Sequence, residues 1–290
     1  MSYRVEPATV IPKSTKLSEA VFQLLRKHIY EKTGIFFADN KKYLLESRIS
    51  HRLLALGIPD FDSYYRMLSN GEGPVELPQL INTVTINETF FFRNDIQLAE
   101  VESTIMPELI KRRMEEKTDK IRVWSAACSS GEEPYSLAMI IRDKFMPRFP
   151  FMKFEIVGSD INTQVLDAAR KGIYKDYAVR TVPDEYMAKY FTQKEGRFFL
   201  DHEIKKMVDF RQVNLFDRSA MRAIRGFDLI FASNVLIYFD FNSKQTVLSS
   251  VYDCTSKGGY LFVGYSETLY GLTQAFKPVH IEKAIAYRKE

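Results

Sequence analysis

The sequence predicts an α/β protein in two parts, a small helical domain followed by a parallel sheet with helices on its faces. Three observations carry this reading. Apolar residues recur at helical spacing between Leu17 and Leu68. From Ile121 onward, short apolar runs alternate with helical segments, the pattern of strands and their crossovers. The first of those runs leads into a small-residue loop and then a helix, the arrangement in which parallel sheets bind ligands.

In chain order, residues 1–15 read as a loose arm rich in Pro and Thr. Leu17, Val21, Leu24 and Leu25 mark a first helix, opened by Ser18 and Glu19 and stopped at Gly34. Leu45, Ile49, Leu53 and Leu56 mark a second, ended by Gly57-Ile-Pro59. A third runs from Phe61 to Leu68, and Asn70 to Pro74 reads as a turn. A helix from about Pro78 gives way to irregular chain at Asn87–Arg93, and Ile96 to Lys117 is helical again. The expected strands are Ile121–Ala127, Phe154–Ser159, Val208–Val213, Phe227–Ala232, Gly259–Gly264 and a last one over Ile281–Arg288. Helices are expected at Tyr135–Phe145, Thr163–Lys171 and Ser243–Cys254. The domains divide as 1–80 and 81–290.

Composition excludes several classes. At 290 residues the chain is long for one core and comfortable for two. With 22 Phe and 16 Tyr, extensive disorder is not expected. The net charge of +4 lacks the clustered excess of a duplex-binding protein, so no nucleic-acid partner is expected. Two cysteines, Cys128 and Cys254, rule out a disulfide framework or a Cys-rich zinc site and suit a reducing, cytoplasmic compartment. No secretory signal and no apolar run of about 18 residues is visible, so membrane insertion is not expected.

Four segments bear chemistry. In Ser125-Ala-Ala-Cys-Ser-Ser-Gly-Glu-Glu-Pro-Tyr-Ser136, small residues let backbone approach a ligand at a helix N-terminus. The dinucleotide glycine pattern is absent, which disfavours a dehydrogenase. Glu132 and Glu133 stand where a diphosphate would lie; they suit a cationic amine or sulfonium, or simply form an acidic first turn. Asp160, at the end of the next strand, either binds a ribose diol or caps a helix. Asn234-Val-Leu-Ile-Tyr-Phe-Asp240 follows a strand facing the same crevice; Tyr238 either projects toward a reacting group or packs. The Pro-Pro of nucleic-acid amino methyltransferases is missing there. In Asn87-x-Thr-x-Phe-Phe-Arg93 the aromatics read as core, and a partly buried Arg93 needs an acceptor such as a carboxylate. Gly264-Tyr-Ser-Glu267 reads as structural.

Together these strings, with Arg122-Val-Trp-Ser-Ala-Ala127, Ser159-Asp-Ile161 and Gly172-Ile-Tyr174, resemble the CheR family, the chemoreceptor glutamate methyltransferases of bacterial chemotaxis. The resemblance is weak before about residue 75 and strong from Ile81 to Glu267. It implies a helical N-terminal substrate-docking domain, then a Rossmann-like class I methyltransferase sheet with a small inserted β-subdomain, its hairpin within 192–209. It implies S-adenosylmethionine as methyl donor, S-adenosylhomocysteine as product, and glutamates on the cytoplasmic methylation helices of transmembrane chemoreceptors as acceptors. Carried over, Asn87, Thr89 and Arg93 contact the cofactor, Arg93 near the reaction centre. Glu133 holds its ammonium and Asp160 its ribose. Asn214 and Leu215 line the adenine pocket, Ser233 and Asn234 lie near the methionine portion, and Tyr238 sits beside the transferring methyl.

Two departures stand out: Ser233 where many relatives carry Arg, and Cys128 in the cofactor loop. Some family members dock on a receptor C-terminal pentapeptide through the hairpin; the hairpin segment here is short, and this member is expected to work without that tail. A monomer is expected. No metal is expected, since the four histidines lie outside the motifs. Lys41, Arg48 and Arg52 share a helix edge that reads either as a receptor-docking surface or as a solvated charged edge. A nucleic-acid methyltransferase and a non-catalytic adaptor are the competing classes.

Overall fold

The computed structural model describes residues 16–71 and 73–290, so the arm expected over 1–15 lies outside the described residues. The chain divides into two compact units between Ile86 and Asn87.

The first unit is helical. Helix α1 (Glu19–Thr33) is capped by Ser18, whose hydroxyl accepts from Val21 N, and stopped by Gly34 at φ 72°. Helix α2 (Lys42–Leu56) stops at Gly57, also left-handed, and α3 (Phe61–Ser69) is capped by Asp60. Their apolar stripes close one core in which Phe22, Leu25, Ile29, Leu45, Ile49, Tyr64 and Leu80 are fully buried.

Helix α4 (Gly73–Val84) starts five residues before the expected Pro78, which lies inside it. Pro74 is in its first turn, where a fixed φ suits the helix. Within it, buried Glu76 receives Arg52 Nε and Nη2 at 2.6 and 2.7 Å and the Tyr64 hydroxyl at 2.9 Å. Neither reading of the Lys41, Arg48 and Arg52 edge, docking surface or solvated charge, describes the two arginines. Arg52 is held in an ion pair inside the unit, and Arg48 donates to the Val84 carbonyl.

The second unit opens with α5 (Asp95–Glu100) and α6 (Met106–Glu115), continuous through a π-helical turn at Val101–Ile105. There follow β1 (Lys120–Ala126), α7 (Glu132–Ile140), β2 (Lys153–Asp160) and α8 (Thr163–Lys171). Next come β3 (Ile173–Tyr174), α9 (Asp176–Val179), α10 (Asp184–Tyr190), β4 (Phe191–Lys194) and β5 (Arg197–Leu200). The chain ends through α11 (His202–Lys206), β6 (Val208–Gln212), α12 (Arg218–Arg222), β7 (Phe227–Ala232), α13 (Phe241–Cys254), β8 (Thr255–Val263), β9 (Phe276–Ile281) and β10 (Ala284–Lys289).

Seven strands form one sheet in the order β6-β2-β1-β7-β8-β10-β9. Strands β6, β2, β1, β7 and β8 are parallel, and β10 runs antiparallel to both neighbours. The register pairs Ala126 with Ser159 and Ala232 with Val263, so the carboxyl ends of the central strands finish level. Central β7 is buried at every position, which explains its unbroken apolar run apart from Asp228.

Two expectations are revised. The hairpin sought over 192–209 is confined to Phe191–Leu200, joined to β3 in a three-stranded antiparallel sheet. Glu195 and Gly196 both adopt positive φ (50° and 67°) and close it in a two-residue turn, and from Val208 the chain is already in the main sheet. The last strand is in fact the second arm of a hairpin, β9–β10. Strand β9 escapes a sequence reading because it carries Pro278 and polar residues, which an edge strand tolerates.

Candidate active site

Glu133, Asp160, Asn214, Leu215, Ser233 and Asn234 lie at the carboxyl ends of β1, β2, β6 and β7 or in the segments that directly follow them. After β1 the backbone turns sharply, with Ala127 at φ 58°, Ser129 at 51° and Gly131 at 90°. A Cβ on Gly131 would meet the Ala169 methyl at 2.9 Å and the Phe210 ring at 3.0 Å, so glycine is required by contact as well as by φ. Cys128 N donates to Ser159 O (2.8 Å) and Ser129 N to the Asp160 carboxylate (2.9 Å), which tie the loop to the end of β2. The Cys128 thiol is buried and pushed well above its ordinary pKa by desolvation, so it stays a neutral packing group.

Asp160 accepts Ser129 N through one oxygen and Asn162 N (2.9 Å) through the other. The cap of α8 is Asn162, whose side chain accepts from Gln164 N and Val165 N. Asp160 is therefore no helix cap. It is a buried carboxylate with lone pairs to spare, its pKa raised by desolvation. Val213 N donates to Asp160 O, which brings Asn214 and buried Leu215 alongside at the end of β6.

The two first-turn glutamates differ in their partners. Glu132 takes both its bonds from the Ser130 hydroxyl. Glu133 accepts from Ser125 Oγ (2.7 Å) and Asn94 Nδ2 (3.4 Å). Desolvation pushes each up to about 7. Ser233, just past β7, has a buried hydroxyl that makes no close hydrogen bond but stands near enough to the Glu133 carboxyl to act on it in the direction that lowers its pKa. Asn234 follows at φ 58°, and Tyr238 ends a short 3-10 turn over Leu236–Tyr238, half-buried.

The Asn87–Arg93 segment reaches the same edge. The Ser129 hydroxyl donates to Asn87 O (2.9 Å), and Phe92 N donates to Ser136 Oγ (3.0 Å). As expected, Phe91 and Phe92 are core: Phe91 packs edge-on to Tyr174 and Phe191, and Phe92 stacks on Tyr186. Half-buried Arg93 donates to the Glu88 carbonyl (2.9 Å) rather than to a carboxylate. Its positive charge acts on Glu133 in the direction that lowers the carboxyl pKa.

Several functional neighbours escaped the sequence reading. Asn94 and Ser125, which flank Glu133, sit beside motif residues but lack a charge to draw notice. The brace on Asn87–Arg93 comes from distant chain. Arg180 lies 3.6 Å from the Phe90 ring centre and 3.7 Å from that of Tyr177. The Tyr177 hydroxyl donates to Glu88 (2.6 Å), and Phe91 N donates to Ala178 O. Only the spacing of Tyr177 and Arg180, one helical turn apart, hinted at a shared face.

An acidic turn in place of a phosphate-binding one, at the first crossover of a seven-stranded sheet, is the mark of class I S-adenosylmethionine-dependent methyltransferases, and the fold belongs to that class. Comparison with known proteins narrows it. Residues 87–285 match the family described as CheR methyltransferase, SAM binding domain, and residues 20–85 match CheR methyltransferase, all-alpha domain. Chemotaxis protein methyltransferase 2 of Vibrio cholerae is 34% identical over 274 residues, 94% of each chain. The chemotaxis protein methyltransferase of Borreliella burgdorferi is 35% identical over 85% of this chain and 87% of its own. That of Escherichia coli is 34% identical over 90% and 88%. This chain belongs to the CheR methyltransferase family, and it is an S-adenosylmethionine-dependent methyltransferase of chemotaxis.

The residues present fit S-adenosylmethionine. Glu133 is a desolvated carboxyl with no cation bonded to it, neutral hydroxyl and amide groups of Ser125, Asn94 and Ser233 surround it, and the loop glycine cannot bear a side chain. An ammonium beside Glu133 would return its pKa toward the ordinary range, which makes cofactor affinity depend on pH. Below about 7 the free protein holds a proton on Glu133 that binding must expel. Affinity is therefore expected to rise with pH and to level off above about 7. Titration calorimetry with S-adenosylhomocysteine in two buffers should show more proton released at pH 6 than at pH 8. Glu133→Gln should lose this dependence. A flat profile in the parent protein would mean that Glu133 does not face the ammonium.

Proposed function

We propose that this protein transfers the methyl group of S-adenosylmethionine to glutamate side chains on the cytoplasmic helices of bacterial chemoreceptors, forming glutamate methyl esters. The observation that carries this reading is a site built for cofactor capture, with carboxylates and no histidine among its described residues. Glu133, in the first turn of α7, and Asp160, at the end of β2, sit among hydrogen-bond donors. The four histidines lie elsewhere, in α1, α2, α11 and β9. A glutamate acceptor is already ionised at neutral pH and needs no base.

S-adenosylmethionine supplies a methyl group activated by its sulfonium. The protein's part is positioning and water exclusion. Asp160 holds the ribose and Glu133 the ammonium, while Asn214 and Leu215 line the adenine. Asn87, Thr89, Ser233 and Asn234 surround the methionine portion. Arg93 orients carboxylate charge at the reaction centre, and Tyr238 packs beside the methyl, its ring face favourable to a sulfonium. Arg93 lies 5.6 Å from the Phe90 ring centre and donates to a backbone carbonyl, an arrangement that supports a guanidinium able to release one contact for another. The helical unit serves receptor docking. No described helix is long and apolar enough to cross a membrane. The cytoplasm, where the receptor methylation helices lie, is the proposed place of work. The four-residue arms of the β4–β5 hairpin support docking that is independent of a receptor tail.

The test combines methyl-labelled S-adenosylmethionine with acidic receptor cytoplasmic fragments, with and without their C-terminal tail, and scores base-labile methanol. Equal labelling of both fragments is expected, with Arg93→Ala and Tyr238→Phe about tenfold or more slower and less affected in cofactor affinity. Cofactor binding without transfer to any fragment would instead favour an adaptor. Loss of labelling on tail removal would overturn tail independence.

A further inference from the structure

Glu267 follows β8, in a segment whose sequence suggested only structure. Its carboxylate accepts three backbone N–H groups. One oxygen takes Gly264 N and Asn234 N, each at 2.7 Å, and the other takes Ile237 N at 3.1 Å. Two of the three donors belong to the loop after β7, the loop that ends in Tyr238. Asn234 is held there at a positive φ of 58°, a left-handed conformation that Asn tolerates better than most residues and that its surroundings fix here. The fit is close: a Cβ on Gly264 would lie 2.8 Å from the carboxylate and 2.8 Å from the Asn234 amide nitrogen.

We infer that Glu267 is a positioning residue for methyl transfer. Its carboxylate clamps the backbone at Asn234 and Ile237 and so sets where the Tyr238 ring stands. The inference rests on the proposed role of Tyr238. The chemistry of the clamp is specific. A carboxylate offers acceptors on both oxygens, whereas a glutamine amide would turn its NH₂ toward a backbone N–H. Charge-assisted bonds to backbone N–H are also the stronger kind. Glu267 is not a core side chain. It also borders an open cavity of about 450 Å³ between the end of β8 and the β9–β10 turn, so its replacement leaves the packed sheet in place.

The experiment is a double-mutant cycle on the full chain with Glu267→Gln, Tyr238→Phe and their combination, reading kcat for receptor methylation, S-adenosylhomocysteine affinity and thermal midpoint. Glu267→Gln is expected to lower kcat by about tenfold while affinity changes by less than about threefold. The double variant is expected to be no slower than the slower single variant, because both changes remove one contribution. Glu267→Asp, which keeps the charge, should recover part of the rate. Hydrogen exchange over residues 233–240 should quicken in Glu267→Gln while the strands stay protected. If the two penalties multiply, or if Glu267→Gln loses affinity as much as rate, the positioning role is overturned and the reading of Tyr238 stands. If Tyr238→Phe is as fast as the parent, the role of Tyr238 falls and the inference with it.

Discussion

Asp160→Ala is expected to lower S-adenosylhomocysteine affinity by about a hundredfold or more and to abolish methyl transfer. Two effects add. The carboxylate closes the cofactor loop by accepting Ser129 N, so its removal leaves a buried N–H without a partner and frees a turn held at positive φ. It also offers the acceptors for a ribose diol, and hydrogen bonds to a charged group contribute about 1.5–3 kcal/mol each. Asp160→Asn retains one acceptor and should fall between the parent and alanine. Calorimetric titration decides the matter: affinity within about tenfold of the parent would mean that the ribose is held by other groups. The helix-capping alternative does not compete, since Asn162 makes the α8 cap and Asp160 can be replaced without uncapping it.

Asp228→Ala is expected to cost about 3–5 kcal/mol of stability and to leave cofactor affinity unchanged. Asp228 is fully buried at the start of β7. One oxygen accepts Arg112 Nη2 and Arg113 Nη2, each at 2.6 Å, and the other accepts Arg122 N at 3.0 Å. The carboxylate thus fastens α6 to the amino ends of β1 and β7. Burial pushes its pKa up, while two adjacent guanidinium groups favour the ionised form. Removing it strands two largely buried cations, which is the costly way to break such a group. The thermal midpoint of the sheet unit should fall by about 10 °C. A fall of less than about 2 °C would mean that water or nearby carboxylates, such as Glu116, take over both arginines. Asp228 and Ser233 lie at opposite ends of one strand, so stability and function separate along β7.

The order of elements was legible because central parallel strands are buried on both faces and therefore read as apolar runs, as Phe227–Ala232 does. Helix ends were legible where a side chain or a glycine does the capping, as at Ser18, Gly34 and Gly57. Strand β9 was not, because an edge strand carries Pro and polar residues, and the small sheet was expected only through the family resemblance, because its short arms contain too few residues to show a period. The motif residues of the site were legible one at a time, each next to a bland alternative. Asp160 could cap a helix, Glu133 could serve the helix dipole, and Arg48 with Arg52 could line a docking edge.

What the sequence by itself determined about this protein is its two-part α/β plan, its acidic cofactor turn and its membership of a methyltransferase family, since all three depend on local pattern and residue type. Only the tertiary structure decided which side chains are engaged and which are available. It put Arg52 into an ion pair with Glu76, gave the α8 cap to Asn162, braced the Asn87 loop with Arg180, and turned Glu267 from a strand-end residue into a clamp on Asn234 and Ile237. The physical reason is the same in each case. A polar side chain's role is set by the partner it meets, and except at the α8 cap, where Asn162 meets Gln164 and Val165, these partners lie 24 to 90 residues away along the chain, beyond the reach of any local periodicity.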